Sequence, residues 1–170
     1  MGLFKDVVEG FANGFATAAV DHANATRTHG HSAIGSGRIE LLCRYIGWEI
    51  DERTSEGIAL HFNDPAEGIR KVIVAQNADL VVLFSTDSTT RLPGHRVPIE
   101  VLGYLLTRNT QLAGCAWQSS EMDNAGTVLF TLAYSALVEG LDPGAFKGIC
   151  EAMVKEASEF DAKMRAAGLM

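Results

Sequence analysis

Residues 98–109 read Pro-Ile-Glu-Val-Leu-Gly-Tyr-Leu-Leu-Thr-Arg-Asn, residues 114–121 Gly-Cys-Ala-Trp-Gln-Ser-Ser-Glu, and residues 127–135 Thr-Val-Leu-Phe-Thr-Leu-Ala-Tyr-Ser. In the first segment Val101, Leu102, Leu105 and Leu106 recur at helical spacing. Pro98 suits the first helical turn, where its fixed φ is preorganised and its missing N–H is not needed. The next two segments are β-rich. Asp123-Asn124-Ala125-Gly126 between them is turn chemistry, so they pair as a hairpin. A helix followed by two strands joined directly to each other is not the strict strand–helix alternation of a parallel sheet. It is the signature of an α+β fold with an antiparallel sheet.

Working upstream, four strand candidates precede this helix. Residues 48–53 alternate, 54–57 turn, and Ile58, Leu60 and Phe62 alternate again, which is a second hairpin. Residues 70–75 are β-rich and Asn77-Ala78-Asp79 turns. Residues 80–85 form a nearly continuous apolar strand. Residues 86–98 are polar with two prolines and read as a loop. Before the strands, Ser36 suits a helix N-cap over 38–47, with Glu40 in the first turn, Ile39, Leu42, Cys43 and Ile46 as the buried stripe, and Gly47 as the stop. Downstream, Asp142 caps a last helix with Pro143 at its first position. Its stripe is Phe146, Ile149, Cys150, Met153 and Phe160, and it runs to about Met164. No internal repeat is evident.

The N-terminal stretch is organised differently. Leu3, Phe4, Val7, Val8, Phe11, Phe15, Ala18 and Ala19 fall on one face of a helix over 3–25. Residues 26–37 are aperiodic and rich in Gly, Ser and Thr, a linker composition. The expected organisation is an appendage over 1–37 and a two-layer α+β domain over 38–170.

Composition bounds the function. The chain has 170 residues, a net charge of −7, 47% apolar and 21% charged residues. A chain of this length buries roughly 70% of its unfolded surface and needs no staples. Net negative charge argues against a sequence-general nucleic-acid binder. No apolar run reaches about 18 residues, so no integral membrane association is expected. Cys43, Cys115 and Cys150 are odd in number and far apart in apolar surroundings, which reads as reduced thiols and a cytoplasmic setting. Asp6, Glu9 and Asn13 interrupt the first apolar stretch, so it is not a secretory signal.

Several short motifs then add up to one pattern: Tyr45-Ile46-Gly47-Trp48, the Leu105-Leu106-Thr107-Arg108-Asn109 helix end, the Gly114-Cys115-Ala116-Trp117 strand start, and Leu141-Asp142-Pro143 opening the last helix. With these the chain resembles the YbjN family, bacterial proteins described as sensory transduction regulators, over residues 38–165. The resemblance implies a type III secretion chaperone-like fold, roughly α-β3/4-α-β2-α. It also implies a domain that is often dimeric and binds another protein without doing chemistry. It carries over no catalytic residue. One departure stands. Four strand candidates precede the middle helix where the fold is described with three, so either 70–75 extends an edge or the count is one too many.

Candidate site residues follow. Phe4, Phe11 and Phe15 form an apolar stripe that either packs on its own domain or a dimer mate, or docks in a partner's groove. Trp48 and Trp117 are partner anchors or core residues. The apolar residues of the 98–109 helix, with the exposed strand faces, are the expected binding surface. His22, His29 and His31 could offer three imidazoles to Zn or Ni, but two lie in a Gly-rich stretch without outer-shell partners, so no metal is expected. His61 should face solvent, and Asp51, Glu52 and Glu56 form a solvated acidic turn. Gly30, Gly35 and Gly37 lack the context of a phosphate loop, and no serine sits in a nucleophile elbow. No cofactor and no enzymatic activity are expected. The alternative is a small-ligand sensor or enzyme with an anion pocket between sheet and helices, using Arg91, His95 and Arg96.

Overall fold

The computed structural model describes residues 34–53, 57–77, 81–121 and 126–170, which belong to a unit running from Ile34 to Met170. The N-terminal stripe, His22, His29, His31 and most of the three turns read at 54–57, 77–79 and 123–126 lie outside the described residues. The elements are helix α1 (Ile34–Ile46), strands β1 (Glu52–Arg53), β2 (Gly57–Asp64), β3 (Gly68–Asn77) and β4 (Val81–Pro93), helix α2 (Ile99–Gln111), strands β5 (Cys115–Glu121) and β6 (Thr127–Leu137), and helix α3 (Pro143–Ala166).

The six strands form one open antiparallel sheet in the order β1-β2-β3-β4-β6-β5. This is the expected α+β class. The expected strand count also holds, and the topology shows which strand is extra. β3, the 70–75 candidate, is interior, between β2 and β4. The short edge piece is β1, two residues where six were expected. Its predecessor, Trp48, turns inward instead, with ring contacts to Phe62 and Phe146.

The helices are set by local chemistry. Asp142 accepts a hydrogen bond from the Ala145 N–H at 2.7 Å, and Pro143 follows at the first position of α3, as its cap requires. Lys163 and Arg165 sit in its last turn, where they complement the helix dipole. α1 ends on Gly47 at φ 76, with Trp48 N–H bonded to Cys43 C=O and Gly47 N–H to Arg44 C=O. Those paired bonds are a Schellman cap, which needs a left-handed residue. α1 starts four residues sooner than expected, so Ser36 lies inside the helix instead of capping it. Glycine costs a helix only about 1 kcal/mol per residue, and Ile39, Leu42 and Cys43 buried in the core hold α1 in place.

α3 lies chiefly on β4 and reaches β2 and β3, α1 packs on α3 and β3, and α2 packs on β5. Phe160 of α3 is the hub of one ring cluster, 4.7 Å from Trp117, 5.5 Å from Phe130 and 6.1 Å from Tyr104 between centroids. Phe146 is the hub of a second, with Phe84 and Trp48.

A further expectation fails. Residues 86–93 are not a loop, because β4 runs without a break to Pro93. Its buried positions alternate as Val82, Phe84, Thr86, Ser88, Thr90 and Leu92. Three of these six carry hydroxyls, so the stretch looks polar while obeying the period of two. The buried hydroxyls are possible because each has an acceptor: Thr86 donates to the Lys71 C=O at 2.9 Å, and α3 supplies a shared partner for Ser88 and Thr90.

Candidate protein-interaction surface

That partner is Asp161, fully buried on α3. Its carboxylate accepts from the hydroxyls of Ser88 and Thr90, from the backbone N–H of Thr89 at 3.0 Å and Thr90 at 3.2 Å, and from Arg70 Nη2 at 2.7 Å. Here four steps along β4, Asp87 to Arg91, match two steps on β6, Thr131 to Leu129. The carboxylate therefore sits in a bulge whose N–H groups turn away from the ladder toward it. Arg70 is buried too. Its Nε donates to Asp64 at 2.9 Å and its Nη1 to the Asp87 C=O at 2.8 Å. The β3–β4 ladder ends at Ile73↔Ser85, and Arg70 bridges the strands beyond it. Burial alone would raise both carboxyls. The bonds from Ser88, Thr89, Arg70 and Thr90 hold Asp161 below the usual aspartate range, and those from Ser158, Ala66 and Arg70 do so for Asp64.

A second cluster joins α2 to α3. Arg108 grips the Glu156 carboxylate with two nitrogens, and Trp117 Nε1 donates to the same group at 3.2 Å. Burial raises the Glu156 carboxyl, but Arg108 and Trp117 outweigh it and keep it low. On the sheet's other edge, Lys71 Nζ lies 2.5 Å from Glu52, and His61 lies within 3.6 Å of both Asp51 and Glu52. These groups fasten elements to each other. Their geometry satisfies the protein's own donors and acceptors, and it is the geometry of structural pairs.

One apolar stretch of surface that no internal contact covers lies on α2. Val101 and Leu105 point into the core. Ile99 and Leu106 are each 66% exposed, and Leu102 is 36% exposed. With Gly103 they form a stripe at i, i+3, i+4 and i+7, opposite the buried face. The Thr107 hydroxyl donates back to Gly103 C=O and the Thr110 hydroxyl to Thr107 C=O. Both threonines thus meet their hydrogen-bonding need within the helix. A separate open groove of about 560 Å³ lies between α1 and the segment 139–143, lined in part by Leu41, Tyr45 and Leu141.

The residues singled out in the sequence are dispersed. Trp117 is 5% exposed, and its place is in the ring cluster, not on a surface. Trp48 is half-buried against Phe62 and Phe146. His61 is exposed, as expected. Arg91 sits on β4 and donates to the carbonyls of Ser88 and Thr90. It lines a shallow cleft of about 150 Å³ with Lys71 and Thr89, and neither His95 nor Arg96 lines that cleft. Those two lie exposed on the turn Gly94–Arg96. The three residues of the alternative anion pocket are therefore not gathered in that cleft. Phe4, Phe11 and Phe15 fall outside the described residues. Among the described residues, no group of three or more His, Cys, Asp or Glu is placed to hold a metal ion, and no helix is long and apolar enough to cross a membrane.

No family model matches the sequence, and no curated protein matches it. The fold does find a match. The crystal structure of YbjN from E. coli, described there as a candidate transcription regulator, superposes with a TM-score of 0.56 at 14% identity, over 77% of this chain and 91% of YbjN. The chain has the fold of YbjN.

The motifs that carry the resemblance to YbjN have structural work in this chain. Asn109, at the end of the Leu105–Asn109 motif, binds the backbone of Trp117 at both its N–H and its C=O. Gly114 has φ 78, and a Cβ there would lie 2.6 Å from the Tyr134 ring. The Asp142-Pro143 pair is the cap of α3. What sequence reasoning missed is the Asp64–Arg70–Asp161 network. Its signal was present as the alternation of Thr86, Ser88 and Thr90 continuing that of Val82 and Phe84.

Proposed function

We propose that this chain is a non-enzymatic, cytoplasmic interaction module on the YbjN fold, which acts by having apolar surface covered. One observation carries the reading: the exposed stripe Ile99, Leu102 and Leu106 on a helix whose opposite face is anchored in the core. An amphipathic helix with a second apolar edge presents i, i+3 and i+7 anchors, the pattern used in helix–groove recognition. YbjN's description as a candidate transcription regulator supports a regulatory setting. The sequence stripe of Phe4, Phe11 and Phe15 supports a second docking element in residues 1–37.

Affinity capture from native lysate tests this, with full-length chain, the variant Leu106→Glu, and a control, Leu137→Glu, at an equally exposed leucine on β6. A defined protein, or untagged copies of this chain, should be retained by the parent and the control and lost with Leu106→Glu. Recovery of the same set by all three would contradict the reading.

A further inference from the structure

We infer that His61 is a proton-operated latch that holds the edge strand β1 against β2. The latch is independent of α2, and it makes the closure of one sheet edge depend on pH.

The imidazole lies between two carboxylates. Its Nδ1 is 3.5 Å from Asp51 Oδ1, and its Nε2 is 3.6 Å from Glu52 Oε1. The other oxygen of each carboxylate is taken. Asp51 Oδ2 accepts the His61 backbone N–H at 2.7 Å, and Glu52 Oε2 accepts from Lys71 Nζ at 2.5 Å. Each carboxylate thus turns its second oxygen to the ring. A neutral imidazole carries one N–H and one lone pair, so in either tautomer one ring nitrogen sets a lone pair against a carboxylate. Imidazolium has a donor on both nitrogens and a charge that both carboxylates attract. The site fits the protonated ring better than the neutral one.

The other charges nearby are already matched. Lys71 of β3, the ladder partner of His61, is the cation beside the ring. Its hydrogen bond to Glu52 neutralises it and holds the Glu52 carboxyl below the usual glutamate range. Glu52 is therefore ionised wherever histidine titrates, between about pH 5 and 8. Arg53 of β1 is drawn off to Glu40 of α1, 3.3 Å away. On the same face of β2, the neighbours of His61 are Ala59 and Asn63, both uncharged.

What the latch holds is short. β1 meets β2 only at Glu52↔Ala59 and Arg53↔Ile58, beside the Asp51 N–H that donates to the Ala59 C=O at 3.2 Å. An exposed element with so few backbone bonds belongs to the part of a structure that opens locally, and here side-chain charge sets how often. Below about pH 6.5, where histidine is protonated, both ion pairs are complete and β1 stays closed. As pH rises through that value the ring loses its charge, one pair becomes a repulsion, and β1 opens more often. Opening bares the β2 edge at Ala59 and His61.

Amide hydrogen exchange of the full-length chain tests the inference, followed by NMR from about pH 5.5 to 8 and divided by the rates of unstructured peptide at each pH. The Asp51 and His61 amides report the latch, and those of Val74 and Phe84 report the sheet interior. The opening equilibrium of the first two should rise about fivefold across this range, the scale of two exposed ion pairs, while that of the second two stays level. His61→Gln keeps a hydrogen-bonding side chain without a titrating ring, and at every pH it should open as often as the parent does at the alkaline end. Asp51→Asn keeps an acceptor for the His61 amide but removes a charge from the ring, and it should shrink the rise, as should Glu52→Gln. Asp51 and His61 amides that open equally at both ends of the range would overturn the inference. So would a pH response that survives in His61→Gln, or one that Val74 and Phe84 share, which would place the titration in the whole fold and not in the latch.

Discussion

Asn109 clasps the backbone of Trp117. Its side-chain oxygen accepts the Trp117 N–H at 2.7 Å, and its amide nitrogen donates to the Trp117 C=O at 3.1 Å. β5 is an edge strand, and this is where a further strand would pair. The other edge is treated alike: Asp51 accepts the His61 N–H at 2.7 Å, beside the short strand β1. Exposed strand edges are templates for aggregation, and side chains that occupy them remove the template. The sheet edges are thus partly closed, while the apolar face of α2 is left open.

Replacing Asn109 with alanine strips two partners from the Trp117 backbone. A loss of about 1 to 3 kcal/mol follows from leaving such groups unpaired. The freed edge should also raise the aggregation rate. Urea unfolding and light scattering during incubation check the two effects. Unchanged stability and unchanged scattering would show that Asn109 is dispensable.

Asp161→Asn removes the charge that holds the β4 bulge and Arg70 together. Breaking a buried ion pair at one partner costs about 3 to 5 kcal/mol. The urea midpoint at pH 7 should fall accordingly, and a variant within 1 kcal/mol of the parent, about a fivefold change in the folding equilibrium, would contradict the role given to the network.

The same groups set the response to acid. Asp161, Asp64 and Glu156 all lie below their usual carboxylate values in the folded chain. The unfolded chain therefore binds protons first as pH falls, from about 4.3 for Glu and 3.9 for Asp. Their contribution is complete above those values and is lost as pH falls toward the folded ones. Urea midpoints should hold level from about pH 7 to 5 and drop steeply below about pH 4. A level midpoint down to about pH 3 would contradict this account.

Cysteine reactivity gives a separate check. Burial pushes the Cys43 thiol up to about 11 and raises Cys150 further. The thiolate is the reactive form. Neither should react with a disulfide reagent near pH 8 in the folded chain, and all three cysteines should react in denaturant. Rapid labelling of Cys150 in the native state would place it outside the core.

Much of the fold was legible because its signals are local. Asp142 and Pro143 announce α3 within two residues, and Gly47 announces the end of α1. The alternation of Val82 and Phe84 was equally plain. It was lost at Thr86, Ser88 and Thr90 because their hydroxyls are matched far along the chain, Thr86 by the Lys71 C=O and Ser88 and Thr90 by Asp161, which lies 71 residues beyond Thr90. A polar residue with a distant buried partner cannot be told from a loop residue by its neighbours. α2 shows the opposite case. Its sequence is apolar around Val101, Leu102, Leu105 and Leu106, and only tertiary packing divides it into a buried pair and an exposed pair. Trp117 could be core or anchor until the positions of Phe160 and Glu156 were known.

The central claim is that the stripe on α2 is the surface this chain has covered when it works. Methyl NMR of selectively labelled full-length chain reads that surface directly, first dilute in buffer, then concentrated, then in native lysate. The methyl signals of Ile99, Leu102 and Leu106 should shift or broaden in the concentrated sample or the lysate, while those of Leu137 and Ile69, as exposed but on the sheet, hold their positions. If the α2 methyls keep their dilute positions under all three conditions, the account of α2 as an interaction surface is wrong.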